Sequence, residues 1–213
     1  MASPEPQPRQ KGAHPQGRAP LQSRTRSLVL CALSLALTAV LAAIIVPFGP
    51  IPFTLQSLMI MLMLLILTPK EAVATIGGYL LLGALGLPVF SGFTGGLGVL
   101  LGPTGGFLMG FLVGVVLASL LRGGISRRIK GPRGFFLLDI ASLMILVLAY
   151  YALGLFWFWQ ISGTTITTAF TLSVLPFLIP DALKAIAAFT CAKPIRAALG
   201  RARFSPRNPP GET

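Results

Sequence analysis

Most of this chain is divided among apolar stretches at roughly 28–46, 54–68, 72–88, 105–121, 135–159 and 171–198, separated by short polar or glycine-rich links. Runs of this length and composition suit hydrocarbon rather than water, where backbone groups must be satisfied within each segment, so they predict helices. The expected fold is an all-α integral membrane protein with a bundle of six transmembrane helices. Of its residues 54% are hydrophobic and 10% charged, with a mean hydropathy of +0.82, well outside the range of soluble domains. A length of 213 residues allows one such bundle and two polar tails, with no room for an additional soluble enzyme domain. The second, third and fourth stretches lie near or below the roughly 17 residues that cross a bilayer untilted, which predicts that loops dip into the bundle or that the protein is locally thin.

The net charge of +12 raises the question of nucleic-acid binding, and the placement of the 17 Lys and Arg residues argues against it. Arg9, Lys11, Arg18, Arg24 and Arg26 precede the first stretch, Lys70 occupies a short link, and a third group runs from Arg122 to Arg133. Lys193, Arg196, Arg201, Arg203 and Arg207 close the chain. With six spans both termini share a side and every cluster falls on it, which the positive-inside rule makes the cytoplasm of a cell membrane. The opposite links, around 48–53, 89–104 and 160–169, contain no Lys or Arg, and Trp157 and Trp159 fall at the outer interface. Residues 1–27, rich in Pro, Gln, Arg and Ser, are expected as a disordered basic tail, and 200–213 as a second one. The first tail also has the Arg-rich, acid-poor composition of a transit peptide, whereas no cleavable secretory signal is expected.

Cys31, Cys191 and His14 stand alone, so no disulfide framework, metal site or histidine dyad can be assembled, and no Walker phosphate loop is present. The expectation is a chain that is not an enzyme and has no cofactor, with any ATP-driven work done by another subunit. The polar groups inside the apolar stretches then carry the chemistry, because charges in hydrocarbon are costly. In Leu178-Ile179-Pro180-Asp181-Ala182-Leu183-Lys184-Ala185, Asp181 and Lys184 are three apart and share a helix face. They could form a self-satisfied pair or a ligand site. Pro180 suits a helix start, so a break there with Asp181 capping the inner segment is expected. Asp139 sits just inside the fifth span, where Arg133 or a neighbour could neutralise it.

The link from Val89 to Gly106 combines many glycines with Phe90, Phe93, Leu97, Val99, Leu100 and Leu101. Apolar residues in a long loop need burial, which favours a lid over a tether. Gly102, Gly106, Gly110, Gly114 and Ala118 form a close-packing stripe. Ala32 and Ala36, then Ala39 and Ala43, form a second small-residue face, for packing within the bundle or for docking a partner.

Gly49-Pro50-Ile51-Pro52-Phe53-Thr54-Leu55-Gln56, the segment from Gly78 to Phe90, the Gly-Gly-Leu-Gly-Val-Leu-Leu-Gly-Pro-Thr-Gly-Gly loop and Pro-Asp-Ala-Leu-Lys together resemble the BioY family, over roughly Leu28 to Leu199. That family comprises the substrate-binding (S) components of energy-coupling factor (ECF) biotin transporters. The resemblance implies a six-helix S-component fold with a glycine-rich outer loop between the third and fourth helices. It implies biotin as transported substrate, and a membrane scaffold subunit and two ATPase subunits as partners. Site residues carried over are Asp181, Lys184, Gln56 and Tyr79 at the ligand, and Ser91, Gly95, Gly96, Gly98 and Gly105 in the lid. Ala32, Ala36, Ala39 and Ala43 would face the scaffold. Family members commonly show Pro-Gly-Asp before the lysine, and Ile179-Pro180-Asp181 here lacks that glycine. The first assignment gives Lys184 the biotin carboxylate and Asp181 the ureido group, with swapped or water-mediated contacts left open. A binding subunit for another small vitamin and an intramembrane enzyme using Asp181 are the alternatives. A dedicated ATPase, a shared one and a homo-oligomer working alone all fit the sequence.

Overall fold

A computed structural model describes residues 19–47, 51–125, 129 and 131–200, with side chains from Arg24 onward. The expectations for residues 1–18, 48–50, 126–128, 130 and 201–213 lie outside the described residues. In chain order the elements are α1 (Ala19–Ala43), β1 (Ile45–Val46), β2 (Phe53–Thr54), α2 (Gln56–Ile66), α3 (Pro69–Ala84), α4 (Leu97–Leu101), α5 (Gly105–Ile125), α6 (Gly131–Ser162), α7 (Ile166–Ser173), a 3₁₀ turn (Leu175–Phe177) and α8 (Leu178–Ala198).

Among the described residues, four segments are long and apolar enough to cross a membrane: Arg24–Ala43, Gly105–Ile125, Gly131–Ser162 and Ile166–Ala198. α2 is apolar but has only 11 residues, a rise of about 16 Å. α3 starts on Thr68, whose backbone N–H donates to Glu71 Oε2 at 2.9 Å in a capping box, with Pro69 in the first turn.

The clearest departures from the hydropathy reading lie in the first, fifth and last stretches. α1 begins at Ala19 rather than Leu28, because its polar first turns continue the same helix through Arg24 and Arg26. Arg26 donates to the Leu199 carbonyl, tying this end to the close of α8. α6 runs beyond both ends of its apolar stretch. The last stretch is interrupted at Val174–Phe177 rather than at Pro180, which lies in the first turn of α8 where its missing N–H is harmless. Asp181 is therefore not a cap: its carboxylate turns into the bundle.

The core gathers around α2, where Ile60, Met61, Met63, Leu64 and Leu65 are buried on nearly all sides by α1, α3, α5, α6 and α8. The glycine stripe of α5 lies against α6. A Cβ at Gly110 would fall 2.5 Å from Tyr150 Cα, so only glycine lets the two backbones come this close. A short antiparallel ladder, Ile45 with Thr54 and Val46 with Phe53, joins the end of α1 to the start of α2.

At the end of the bundle carrying Arg122 and Arg196, Asp139 of α6 is 5% exposed and accepts from two arginines. Arg122 Nη1 reaches Oδ1 at 2.8 Å, Arg196 Nη1 reaches Oδ2 at 2.6 Å, and Arg196 Nε and Nη2 donate to the Leu65 carbonyl at the end of α2. These partners come from α5 and α8, not from Arg133 as the local sequence suggests. Asp139→Ala would leave two partly buried guanidiniums without their carboxylate and should destabilise the bundle by about 3 kcal/mol. Thermal unfolding in detergent would measure this, and an unchanged midpoint would refute the clamp.

Candidate functional site

A cavity of about 620 Å³, its open mouth included, lies between α2, α5, α6, α8 and the 85–104 loop. Ile51, Val99, Phe107, Leu108, Phe111 and Phe177 supply apolar wall, and Phe90 contributes the loop's inner face. Its polar groups are concentrated at Thr54, Gln56 and Ser57, at Tyr150 and Tyr151, and at Asp181 and Lys184, with Ser91 and Thr104 on the loop side.

α8 presents Asp181 and Lys184 one turn apart on its buried face, 6% and 7% exposed. Lys184 Nζ donates to Asp181 Oδ1 at 2.8 Å, to Ser57 Oγ at 2.9 Å and to the Thr54 carbonyl at 2.8 Å, which uses its three protons. The ammonium also stands 4.0 Å from the centroid of Phe53, whose ring stacks on Phe177. Ser57 Oγ donates to Asp181 Oδ1 at 3.2 Å, and the Tyr150 and Tyr151 hydroxyls both donate to Oδ2 at 2.7 Å. Four donors on one carboxylate match the acceptor capacity of its ionised form, so this buried charge pair is well satisfied. The tyrosine oxygens keep lone pairs for a ligand's N–H groups.

Two further lining residues each carry a buried polar atom without a partner among the described residues. Gln56 and Ser91 line the cavity, and their buried Nε2 and Oγ make no hydrogen bond among the described residues. Unpaired buried donors are costly, and a polar ligand is one way to satisfy them.

Tyr79 takes a different place. It is fully buried, donates its hydroxyl to the Val89 carbonyl at 2.8 Å and meets the Phe90 ring edge-on at 5.5 Å, so it holds the loop from below and is not part of the cavity wall. The loop is pinned at several points. Phe90 bonds Thr94, the Gly96 N–H reaches the Gly83 carbonyl at 2.6 Å, and Trp157 Nε1 donates to the Gly102 carbonyl at 3.0 Å. Gly95 and Gly105 sit where a Cβ would strike the Leu87 and Leu100 carbonyls, whereas Gly98 faces open space. Phe90 is buried and Val99 and Leu100 are half-buried against the core, but Phe93, Leu97 and Leu101 are exposed.

On α1, Ala32 and Ala36 are exposed, and Ala39 and Ala43 are half-buried. The inward face carries Ser34, Thr38 and Ala42 instead.

Sequence reading missed Ser57, Tyr150 and Tyr151. The signal available was a pair of adjacent tyrosines in the middle of an apolar helix and a serine directly after Gln56.

Comparison with known proteins agrees with this architecture. The chain matches the BioY family over residues 13–201. It is 38% identical over 170 residues to a protein of Pyrococcus horikoshii named "Probable biotin transporter BioY", covering 80% of this chain and 96% of that one. It is 36% identical over 163 residues to "Biotin transporter BioY" of Thermotoga maritima, covering 76% and 91%. Among solved structures, the S-component for biotin from an ECF-type ABC transporter superposes with a TM-score of 0.72 at 26% identity, covering 85% of this chain and 95% of that one.

Proposed function

The chain belongs to the BioY family, and from that premise we propose that it is the biotin-binding S component of a membrane importer. It captures biotin from outside, and partner subunits that hydrolyse ATP drive its release into the cytoplasm. One observation carries the reading: an apolar cavity that holds the Asp181–Lys184 pair at one end and the unpaired donors Gln56 Nε2 and Ser91 Oγ in its wall.

Biotin has an apolar bicycle and chain with a polar group at each end. Asp181 and Lys184 are in contact, so they serve one end of such a molecule rather than both. We assign that end to the ureido ring: its N–H groups meet the oxygens around Asp181, and its carbonyl accepts from Gln56 Nε2. The chain then runs along Phe107 and Val99 toward the loop, where Ser91 meets the carboxylate. This differs from the first sequence-based assignment, which gave the carboxylate to Lys184 and left the swapped arrangement open.

Equilibrium binding of biotin and of biotin methyl ester to the purified protein tests both levels. Tight biotin binding with less than about tenfold loss for the ester is expected, since a neutral hydroxyl contact is worth about 1 kcal/mol. A loss of about 100-fold or more would return the carboxylate to Lys184. No binding of biotin by folded protein, with another vitamin bound instead, would overturn the substrate.

The membrane arrangement proposed is six crossings, made by α1, α2, α3, α5, α6 and the α7–α8 unit. Both termini are cytoplasmic, and the loop with α4 forms the outer cover. It gives one membrane domain over 28–199 with basic tails, in a plasma membrane. The α1 face of Ala32, Ala36, Ala39 and Ala43 is proposed as the contact for a scaffold subunit that couples to two ATPase subunits.

A further inference from the structure

α8 packs principally on α2 and α6 principally on α5, so α6 and α8 diverge and leave a groove on the outside of the bundle. Its walls are Phe136, Ile140, Met144 and Val147 of α6 with Ala185, Ile186 and Phe189 of α8. Every side chain lining it is apolar, and Phe136, Ile140, Met144 and Ile186 are between 40% and 63% exposed. The groove is separate from the ligand cavity and shares no lining residue with it.

The two helices are antiparallel, and the groove ends on a basic pair. Phe136 and Phe189 close it with an edge-to-face contact at 5.3 Å. Just beyond them, Lys193 Nζ lies 4.9 Å over the Phe189 ring, and Arg133 is exposed one turn before Phe136 on the same side of α6. The three acidic side chains among the described residues are engaged elsewhere: Glu71 in its capping box, Asp139 with Arg122 and Arg196, and Asp181 with Lys184. A dry slot in the depth of the bilayer with two cations at its cytoplasmic-type end has the polarity of one phospholipid molecule, tail inward and phosphate outward.

We propose that this groove is a binding site for an anionic phospholipid, with one acyl chain between α6 and α8 and its headgroup held by Arg133 and Lys193. The argument rests on the apolar walls and the charge complementarity at their end, and it does not depend on which vitamin the cavity takes.

The test is retention of phosphatidylglycerol and phosphatidylcholine with matched acyl chains by the full-length protein, delipidated in detergent and read by native mass spectrometry. Near a membrane surface each basic side chain gives about a fivefold preference for an anionic headgroup, so phosphatidylglycerol should be favoured by about 25-fold. Arg133→Gln with Lys193→Gln should reduce that preference to about twofold or less, with the Asp139 clamp and the ligand cavity intact. Ala185→Leu, which fills the slot and leaves both charges, should lower retention of both lipids together. Equal retention of the two lipids by the wild type, or an unchanged preference in the double variant, would overturn the proposal. So would Ala185→Leu abolishing assembly with partner subunits while lipid retention stays unchanged, because the groove would then seat a protein helix.

Discussion

Replacing Asp181 by alanine is expected to lower biotin affinity by at least about 100-fold. The carboxylate is the common acceptor for Lys184, Ser57, Tyr150 and Tyr151. Its removal leaves a buried ammonium without its counter-ion and frees two hydroxyls to turn away from the cavity. Breaking one partner of a buried ion pair costs about 3–5 kcal/mol, and a share of that cost falls on the geometry that receives the ligand. Lys184→Met, which strips the cation but keeps an unbranched apolar stem, should cost about 30-fold, or about 2 kcal/mol. Calorimetric titration of biotin into each folded variant provides the measurement. Wild-type affinity in both, with only the unfolding temperature lowered, would make the pair a structural tie.

The second large effect is expected far from any charge. At Gly110 even a methyl group would lie 2.5 Å from Tyr150 Cα and 3.2 Å from the Tyr150 carbonyl oxygen, so it meets backbone that no rotamer change can move aside. Gly110→Leu should therefore separate α5 from α6 and cost 3 kcal/mol or more, beyond the about 1–3 kcal/mol typical of overpacking. Tyr150 also belongs to the cavity, so biotin binding should weaken in the same variant. Gly77→Ala is the control: nothing lies within 4 Å of its added Cβ and it sits inside α3, so stability should hold or rise slightly. Detergent unfolding curves of the two variants side by side would decide. Equal midpoints would mean that α5 and α6 are not locked by the glycine stripe.

The parts of this fold that were legible in the sequence are those set by local composition. α5 begins at Gly105, where hydropathy puts it, and its glycine stripe meets α6 as its four-residue spacing requires. Asp181 and Lys184 are adjacent because three residues on a helix place them so. The errors come from quantities that hydropathy averages away. It reads 171–198 as one stretch, since the interruption at Leu175-Pro176-Phe177 is as apolar as its surroundings, and the break expected from Pro180 therefore falls too late. Nor does it report rotation about a helix axis, so it could not say that Tyr150 and Tyr151 turn toward α8, or that Tyr79 supports the loop from below. The true partners of Asp139 come from α5 and α8, one of them 57 residues along the chain, while Arg133 was merely near in sequence.

The spacing of the ion pair has a bearing on how this chain enters a membrane at all. A lone charge at the bilayer centre raises the cost of inserting a helix by about 2.5–3.5 kcal/mol. Asp181 and Lys184 lie on one helix, three residues apart, so each has its counter-ion before any other helix is alongside. The segment can pass into lipid as a net-neutral unit, and Ser57, Tyr150 and Tyr151 complete the bonding once the bundle closes around it. Had the same two charges been divided between α2 and α8, the pocket could look identical when finished, yet each helix would have to cross alone with an unmatched ion. Biogenesis thus constrains where a membrane protein can keep the polar groups that its ligand requires.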